Sequence, residues 1–521
     1  MMKRRHVKNI AQILEDTASR LPNKICLIYE NESFTYKALN ELVNKAGNTF
    51  LKLGVKKGNR VLVSLLNSPE FVISFFALAK IGAIAVTVNY MLTEIEDSYI
   101  WSDSEASLII TDSKKLPNFY KMTQGKVIIL TIDQAEGEYR SLPSVLDFWD
   151  QLKGQSDVLS PCACNRDDVA DILYTSGTTG KPKGAMLTHH SVLFCSSLYT
   201  DNEDMREFMF PEDSRFLVAL PLYHCYGQNV CLITPLSVGA TVIILERFNT
   251  DKVFQSIATH RVTSFPGVPT MFAYLINGFD PKKHDASSLR FCCSAGAPLA
   301  PEIAKAFHEK LGIEILNGYG ITEASAQAIA HPLTPHKKRS DKFGSIGIPL
   351  RNSWQQTEAK IVDENGQELP ANSVGELVIK GDHIMKGYWK SPEQTATTIR
   401  DGWLYTGDVA SRDEDGYFYI VDRKKDMIIV GGENVYPREI EEVLYQNEKI
   451  LEAAVIGVKD TIKGEAVKAV IALNSGSQAT EEELIRFCAD RLAKFKVPRV
   501  VEIRKELPKS STGKILKRLL K

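Results

Sequence analysis

The sequence predicts an α/β fold in two units, a large N-terminal body of mostly buried sheets and a small α+β unit at the C-terminus. Three observations predict it. Apolar runs of strand length recur at 61–66, 107–111, 127–132 and 170–175, with helical patterns between many of them, the alternation expected of sheets covered on both faces. A chain of 521 residues exceeds one core, because domains usually settle at ~100 to 200 residues. Beyond the polar run Asp422-Arg423-Lys424-Lys425-Asp426, the last stretch of about 95 residues carries its own strand and helix signals, enough for a separate domain. The boundary is placed near Lys425, giving units 1–424 and 425–521.

Taken in order, the chain begins Met1-Met2-Lys3-Arg4-Arg5, but Gln12, Glu15 and Asp16 break the apolar run before a signal-peptide core forms. No export signal is read. Residues 71–88 are apolar enough to raise the question of a membrane span, which needs about 18 residues or more. Lys80 and Gly82 argue against one. Ser68-Pro69-Glu70 supplies a capping hydroxyl, a proline at the first helical position and an acid in the first turn, so a helix starts there. It should end at Gly82, with 83–88 as a buried strand. Residues 154–168 turn polar and irregular and read as a surface connection. Asp413-Glu414-Asp415-Gly416 lies between two candidate strands and marks a hairpin turn. After it come a strand at 427–430, a helix from Pro437, and strands near 453–458 and 466–473. Thr480 with Glu483 forms a capping box for a further helix.

Composition narrows the function classes. Hydrophobic residues make up 44% and charged residues 24%, an ordinary globular balance. Lys plus Arg number 63 against 64 Asp plus Glu, so no global field recruits nucleic acid or an anionic membrane. Nine irregularly placed cysteines do not make a disulfide framework, which points to a reducing, cytoplasmic setting. Cys162 with Cys164, and Cys292 with Cys293, lack a second pair or histidine cluster at zinc spacing.

The chemistry concentrates in a few motifs. Leu173-Tyr174-Thr175-Ser176-Gly177-Thr178-Thr179-Gly180-Lys181-Pro182-Lys183-Gly184 runs from a strand into a loop of glycines, hydroxyls and lysines. Such a loop suits a polyphosphate: glycines admit close backbone N–H groups, hydroxyls donate to phosphate oxygens, and lysine supplies charge. It is not a Walker A loop, because Gly177 and Gly180 stand too close and Pro182 follows Lys181. Residues 184–189 read as a returning strand, so the loop is a hairpin. Gly318-Tyr319-Gly320, alone, is a weak signal and lacks the third glycine of a dinucleotide fingerprint.

The loop closely resembles the phosphate-binding signature of the adenylate-forming superfamily, which comprises acyl-CoA synthetases, peptide-synthetase adenylation domains and luciferases. Four further motifs lie in that family's order, and the resemblance spans about Ile10 to Lys521. It implies a small C-terminal domain that moves against the N-terminal one, and an ATP site made by Thr175, Ser176, Gly177, Thr178, Thr179, Gly180 and Lys183. Gly296, Ala297, Gly318, Tyr319 and Gly320 would flank the adenine, and Thr322 would contact the α-phosphate. Glu323, with Thr175, would hold Mg²⁺, for which a carboxylate is a suitable hard ligand. Asp408, assisted by Arg423, would grip the ribose hydroxyls. Lys425 stands where related enzymes place their hinge. Lys514, in Leu507-Pro508-Lys509-Ser510-Ser511-Thr512-Gly513-Lys514, matches the catalytic lysine, whose ammonium stabilises charge in the transition state. Gly431, Gly432 and Glu433 match the segment that opens a path for coenzyme A.

The implied reaction joins a carboxylic acid to ATP as acyl-AMP, releasing pyrophosphate, then transfers the acyl group to a thiol. In Leu220-Pro221-Leu222-Tyr223-His224-Cys225-Tyr226-Gly227 no acid stands where amino-acid adenylation domains carry one. An amino acid substrate is therefore disfavoured. His224 resembles the aligning histidine of acyl-CoA and aryl-CoA ligases, and His224, Gly267, Met271 and Tyr319 are expected to border an apolar acyl pocket. The resemblance is nearest to bacterial medium- or long-chain fatty acid CoA ligases. An aryl-CoA ligase and an acyl-AMP ligase that loads a carrier protein share the ATP motifs and remain open, as does a homodimer. A non-enzymatic ATP-binding protein would not need Lys514.

Overall fold

A computed structural model describes residues 8–175, 181–201, 203–331, 342, 344–351, 357–460, 464–511 and 513–520. Strands Arg60–Ser64, Leu108–Thr111, Ile128–Thr131 and Val169–Thr175 occupy the four apolar runs. The Ser68 hydroxyl accepts from Phe71 N at 3.3 Å, Pro69 opens the helix Pro69–Ile81, and Gly82 ends it in the left-handed region at φ 73°. The strand Ile84–Thr87 follows. Phe71, Phe75 and Phe76 of this helix are buried, each stabilising the core by ~1.5 to 3 kcal/mol relative to exposure. Lys80 is buried too and donates to Asn44 Oδ1 at 2.5 Å. The apolar stretch is therefore protein core. Among the described residues no helix is long and apolar enough to cross a membrane, and all nine cysteines are free thiols.

Sheet topology assembles the loops that matter. Thr241–Ile244, Arg215–Val218, Ser264–Gly267, Phe291–Ser294 and Ile315–Tyr319 run side by side and parallel within a nine-stranded sheet. The turns that follow the last four therefore open at the same edge, the carboxyl ends of parallel strands, where α/β proteins place their ligands. Those turns carry His224, Val268, Gly296 and Thr322. An eight-stranded sheet holds Val169–Thr175, paired antiparallel with Lys183–Thr188, so the expected hairpin is present. Glu358–Val362, Val374–Lys380, Ile399–Arg400, Trp403–Arg412 and Phe418–Arg423 form an antiparallel sheet.

A fourth sheet, of Ile428–Val430, Glu433–Val435, Ile450–Asp460, Gly464–Leu473 and Val500–Arg504, packs with helices Pro437–Tyr445 and Glu481–Ala489. Ile440, Val455, Ile471, Leu484 and Val501 belong to a core of its own. One local expectation is half met. Thr480 accepts from Glu483 N at 3.1 Å, but the Glu483 carboxylate pairs with Lys449 at 2.6 Å, so the return bond of a capping box does not form.

Candidate active site

Asp408 and Arg423 face each other in register on adjacent strands. Their ion pair, Arg423 Nε to Asp408 Oδ1 at 3.2 Å, leaves Oδ2 to accept from the Tyr319 hydroxyl at 2.5 Å. Burial, and next the Asp408 charge, raise the Tyr319 phenol well above its ordinary range, so the hydroxyl keeps its proton and donates. This joins the antiparallel sheet to the carboxyl edge of the nine-stranded one. Gly407 precedes Asp408 at φ 73°, a turn that favours glycine.

Beyond Tyr319 the chain doubles back. A Cβ on Gly320 would overlap the Ala326 carbonyl oxygen, and one on Gly318 would overlap the Gln327 amide. Gly320 is demanded by this close approach to backbone, whereas at Gly318 the Gln327 side chain would have to shift. The turn Thr322–Ala324 presents Glu323, whose Oε1 accepts from the Tyr388 hydroxyl at 2.8 Å, while Met385 N donates to its carbonyl at 2.8 Å. The strand Gly387–Tyr388 pairs with Lys183–Thr188, and Lys183 Nζ lies 5.1 Å over the Tyr388 ring. Glu323, Lys183 and the mouth of the Thr175 hairpin are thus neighbours. Gly296 turns at φ 80° and is exposed, beside a half-buried Ala297. Ser176, Gly177, Thr178, Thr179 and Gly180, and Thr512, lie outside the described residues.

His224 is held by a residue no motif announced. Asn67, nearly fully buried, donates to the carbonyls of Leu220 and Leu245 at 2.9 and 3.0 Å and accepts from Leu222 N at 2.7 Å. The His224 Nδ1 accepts from Tyr226 N at 3.3 Å, which assigns the proton of the neutral ring to Nε2. Burial, with Lys514 adding to it, lowers His224 to about 4. Lys514 sits in a hairpin in which Ser510 N donates to its carbonyl at 2.7 Å and Gly513 N to the Ser510 carbonyl at 2.9 Å. The Thr270 hydroxyl donates to the Gly513 carbonyl at 2.9 Å, docking this tip on the helix Pro269–Gly278. Burial, then the neighbouring Arg423 charge, lower the Lys514 ammonium to about 8, opposed by Asp408 and Asp426. The lysine thus joins the Asp408–Arg423 pair and His224 in one electropositive corner, suited to two anionic groups brought close together.

Residues 14–389 match the AMP-binding enzyme family, and residues 439–514 match the AMP-binding enzyme C-terminal domain. The chain belongs to the AMP-binding enzyme family. It is 36% identical to a long-chain-fatty-acid–CoA ligase of Bacillus subtilis, over 98% of this chain and 94% of that one. It is 35% identical to a crotonobetaine/carnitine–CoA ligase of Salmonella paratyphi A, over 99% of both. The crystal structure of an anthranilate CoA ligase in complex with anthranoyl-AMP superimposes with a TM-score of 0.89 at 31% identity, covering 98% of this chain and 96% of that one. This AMP-binding enzyme is therefore a member of the adenylate-forming superfamily, among relatives that are acid–CoA ligases.

The site of this AMP-binding enzyme also contains an apolar slot. It consists of two adjoining cavities, one lined by Tyr226, Ala295, Gly318 and Gln327 and the other by Phe216 and Phe291, with Tyr199, Met209, Val230 and Cys293 shared by both. Among the described residues no Asp, Glu, Lys or Arg lines it. Of the residues expected at an acyl pocket, His224, Gly267, Met271 and Tyr319, none is among those lining this slot, although Tyr319 follows the lining residue Gly318 in sequence. Gly267 packs against Phe265 and Phe272, and Met271 belongs to the main core. Gly431, Gly432 and Glu433 are exposed at the turn between two strands of the C-terminal sheet, with φ of 63° and 90° at the glycines. The lining residues are scattered from Tyr199 to His331, so no local pattern in the sequence marks them.

Proposed function

We propose that this chain is an ATP-dependent, AMP-forming acyl-CoA synthetase that converts a fatty acid through acyl-AMP to acyl-CoA. The observation that carries the reading is the uncharged slot leading from Ala295 and Gly318 to Met209 and Phe291. A trimethylammonium acyl group would call for a facing carboxylate, and a second carboxylate for a facing cation, because a buried unpaired charge costs several kcal/mol. An alkyl chain asks for neither.

In the first half-reaction the carboxylate oxygen bonds to the α-phosphorus and the bond to pyrophosphate breaks. Asp408 holds the ribose hydroxyls, with Arg423 and Tyr319 fixing its orientation. Thr322 contacts the α-phosphate, and Gly296, Ala297 and Tyr319 flank the base. Lys514 supports the negative charge shared by carboxylate and α-phosphate, and neutral His224 aligns the acid. The free oxygen of Glu323, with the Thr175 hydroxyl, fits Mg²⁺, which takes one or two protein ligands together with phosphate oxygens. When bound, that ion neutralises phosphate charge. In the second half-reaction a thiol attacks the acyl carbon and AMP leaves. The segment Gly431, Gly432 and Glu433 lines the thiol path once the C-terminal unit, 425–521, turns about Lys425. Its exposure here, with Lys514 docked, supports an arrangement poised for the first half-reaction.

An acid panel tests this: thioester formation with CoA across straight-chain, aromatic, dicarboxylic and trimethylammonium acids. Highest kcat/KM for a straight-chain fatty acid supports the reading. Preference for an aromatic or a charged acid refutes the substrate class, and turnover with a carrier protein but not CoA refutes the acceptor.

A further inference from the structure

Asp171 lies in the strand that feeds the phosphate loop, four residues before Thr175, and its side chain is fully buried. Its Oδ1 accepts from the Thr87 hydroxyl at a long 3.4 Å, and its Oδ2 has no partner. Gln228 is also fully buried and faces this carboxyl, yet neither its Oε1 nor its Nε2 makes a well-aligned hydrogen bond. Three orphaned polar atoms therefore meet at one place, which native interiors rarely tolerate.

The groups around Asp171 are neutral. The neighbouring strands set Ala85 and Leu187 opposite it, Thr87 and Gln228 carry no charge, and burial raises the Cys225 thiol to about 12. Asp171 and Glu323 both bear on that thiol, but among the described residues no cation pairs with Asp171. A buried carboxylate without a counter-charge takes up a proton instead. Desolvation raises Asp171, and the net value is about 7 even against hydrogen bonds from Gln228, from the Thr87 side chain and backbone and from the Ile172 backbone.

A carboxylic acid and a primary amide are complementary. The acid O–H donates to the amide oxygen and the amide N–H donates to the acid carbonyl, which satisfies all three orphans at once. We infer that Asp171 is a protonated acid doubly hydrogen-bonded to the Gln228 amide, and that this pair is the positioning element holding the His224 turn against the phosphate-loop strand. The Gln228 backbone N–H donates to the His224 carbonyl at 3.0 Å, so one helical turn fixes the spacing between this side chain and the residue at the acid's entrance. Its neighbour Asn229 donates to the Ser325 carbonyl at 3.0 Å, tying the same turn to the segment of Thr322 and Glu323. The side chains of Gln228 and Asn229 thereby tie the helical turn that begins at the acid-aligning histidine to the phosphate-loop strand and to the segment of the magnesium-side carboxylate.

The decisive comparison is wild type with Asp171→Asn, which keeps a donor and an acceptor and cannot ionise. Infrared difference spectra should show a protonated-carboxyl band that this variant lacks and that wild type loses as pH rises through about 7. Above that value wild-type kcat/KM for the acid should fall relative to Asp171→Asn, approaching about tenfold per further pH unit as the paired form is lost. The change should lie in KM for the acid while KM for ATP holds, and Lys514, present in both proteins, cancels in the ratio. Gln228→Leu should raise KM for the acid at every pH. The thermal midpoint of wild type relative to Asp171→Asn should also fall between about pH 4 and pH 7, because a raised carboxyl favours the folded state below that window and loses the advantage across it. That readout needs no activity. A flat ratio with pH, a constant difference in midpoint, or the absence of a protonated-carboxyl band overturns the assignment.

Discussion

Replacing Lys514 by alanine should abolish one half-reaction without weakening the closed structure. Burial and Arg423 depress the ammonium from 10.5 to about 8, so the closed arrangement disfavours its charge by about 3 kcal/mol. The sign follows from linkage. A lysine lowered on closure binds fewer protons in the closed state between those two values, so closure is opposed in full below about pH 8 and not at all above about pH 10.5. Lys514→Ala removes that opposition at neutral pH. On the proposed mechanism it also removes the charge that would face the carboxylate and α-phosphate, and loss of such a group typically lowers a rate by about 10²- to 10³-fold. Acid-dependent ATP–pyrophosphate exchange should therefore fall by that factor. Thermal unfolding at neutral pH should show a midpoint no lower than wild type, and premade acyl-AMP should still be converted to acyl-CoA. A lower midpoint with both half-reactions lost equally would refute the reasoning, because Lys514 would then be a structural strut.

Three further outcomes can be checked. Asp408→Ala removes the acceptor shared by Tyr319 and Arg423, so calorimetry should show weaker ATP binding, and unaltered binding would remove Asp408 from the ribose site. Gly320→Ala forces a methyl group into the Ala326 carbonyl, and overpacking against rigid backbone should destabilise by about 1 to 3 kcal/mol or more in chemical denaturation; an unchanged midpoint would mean that this hairpin yields. Tyr274 donates to Glu452 at 3.1 Å and accepts from Lys509 at 3.1 Å, across the two units. Tyr274→Phe should loosen the docked C-terminal unit, seen as faster proteolysis near Lys425 without a change in global unfolding.

Local readings succeeded where a short segment contains its own physical cause. Ser68, Pro69 and Gly82 cap, open and end a helix with side chains and backbone angles that they themselves supply, and the hairpin around 176–180 announces itself by strand, glycines and returning strand. The motif residues Tyr319, Asp408, Arg423 and Lys514 lie together in the fold, although the sequence alone could not say that Tyr319 and Arg423 both grip the same carboxylate. Other features had no local mark. Met271 carries the apolar signature of a pocket residue but packs into the main core, and the slot instead draws on Tyr199, Met209 and Phe291. Asn67 looks like a loop asparagine until the fold buries it under the His224 turn. Asp171 reads as a strand polar residue until it is found without a counter-ion opposite Gln228. The sequence by itself determined which segments become strands, helices and turns, because those follow from periodicity, caps and glycines within a few residues. Only the tertiary structure decided which side chains lose water together, and burial beside a particular neighbour is what tells a charged lysine from a depressed one, or a carboxylate from an acid.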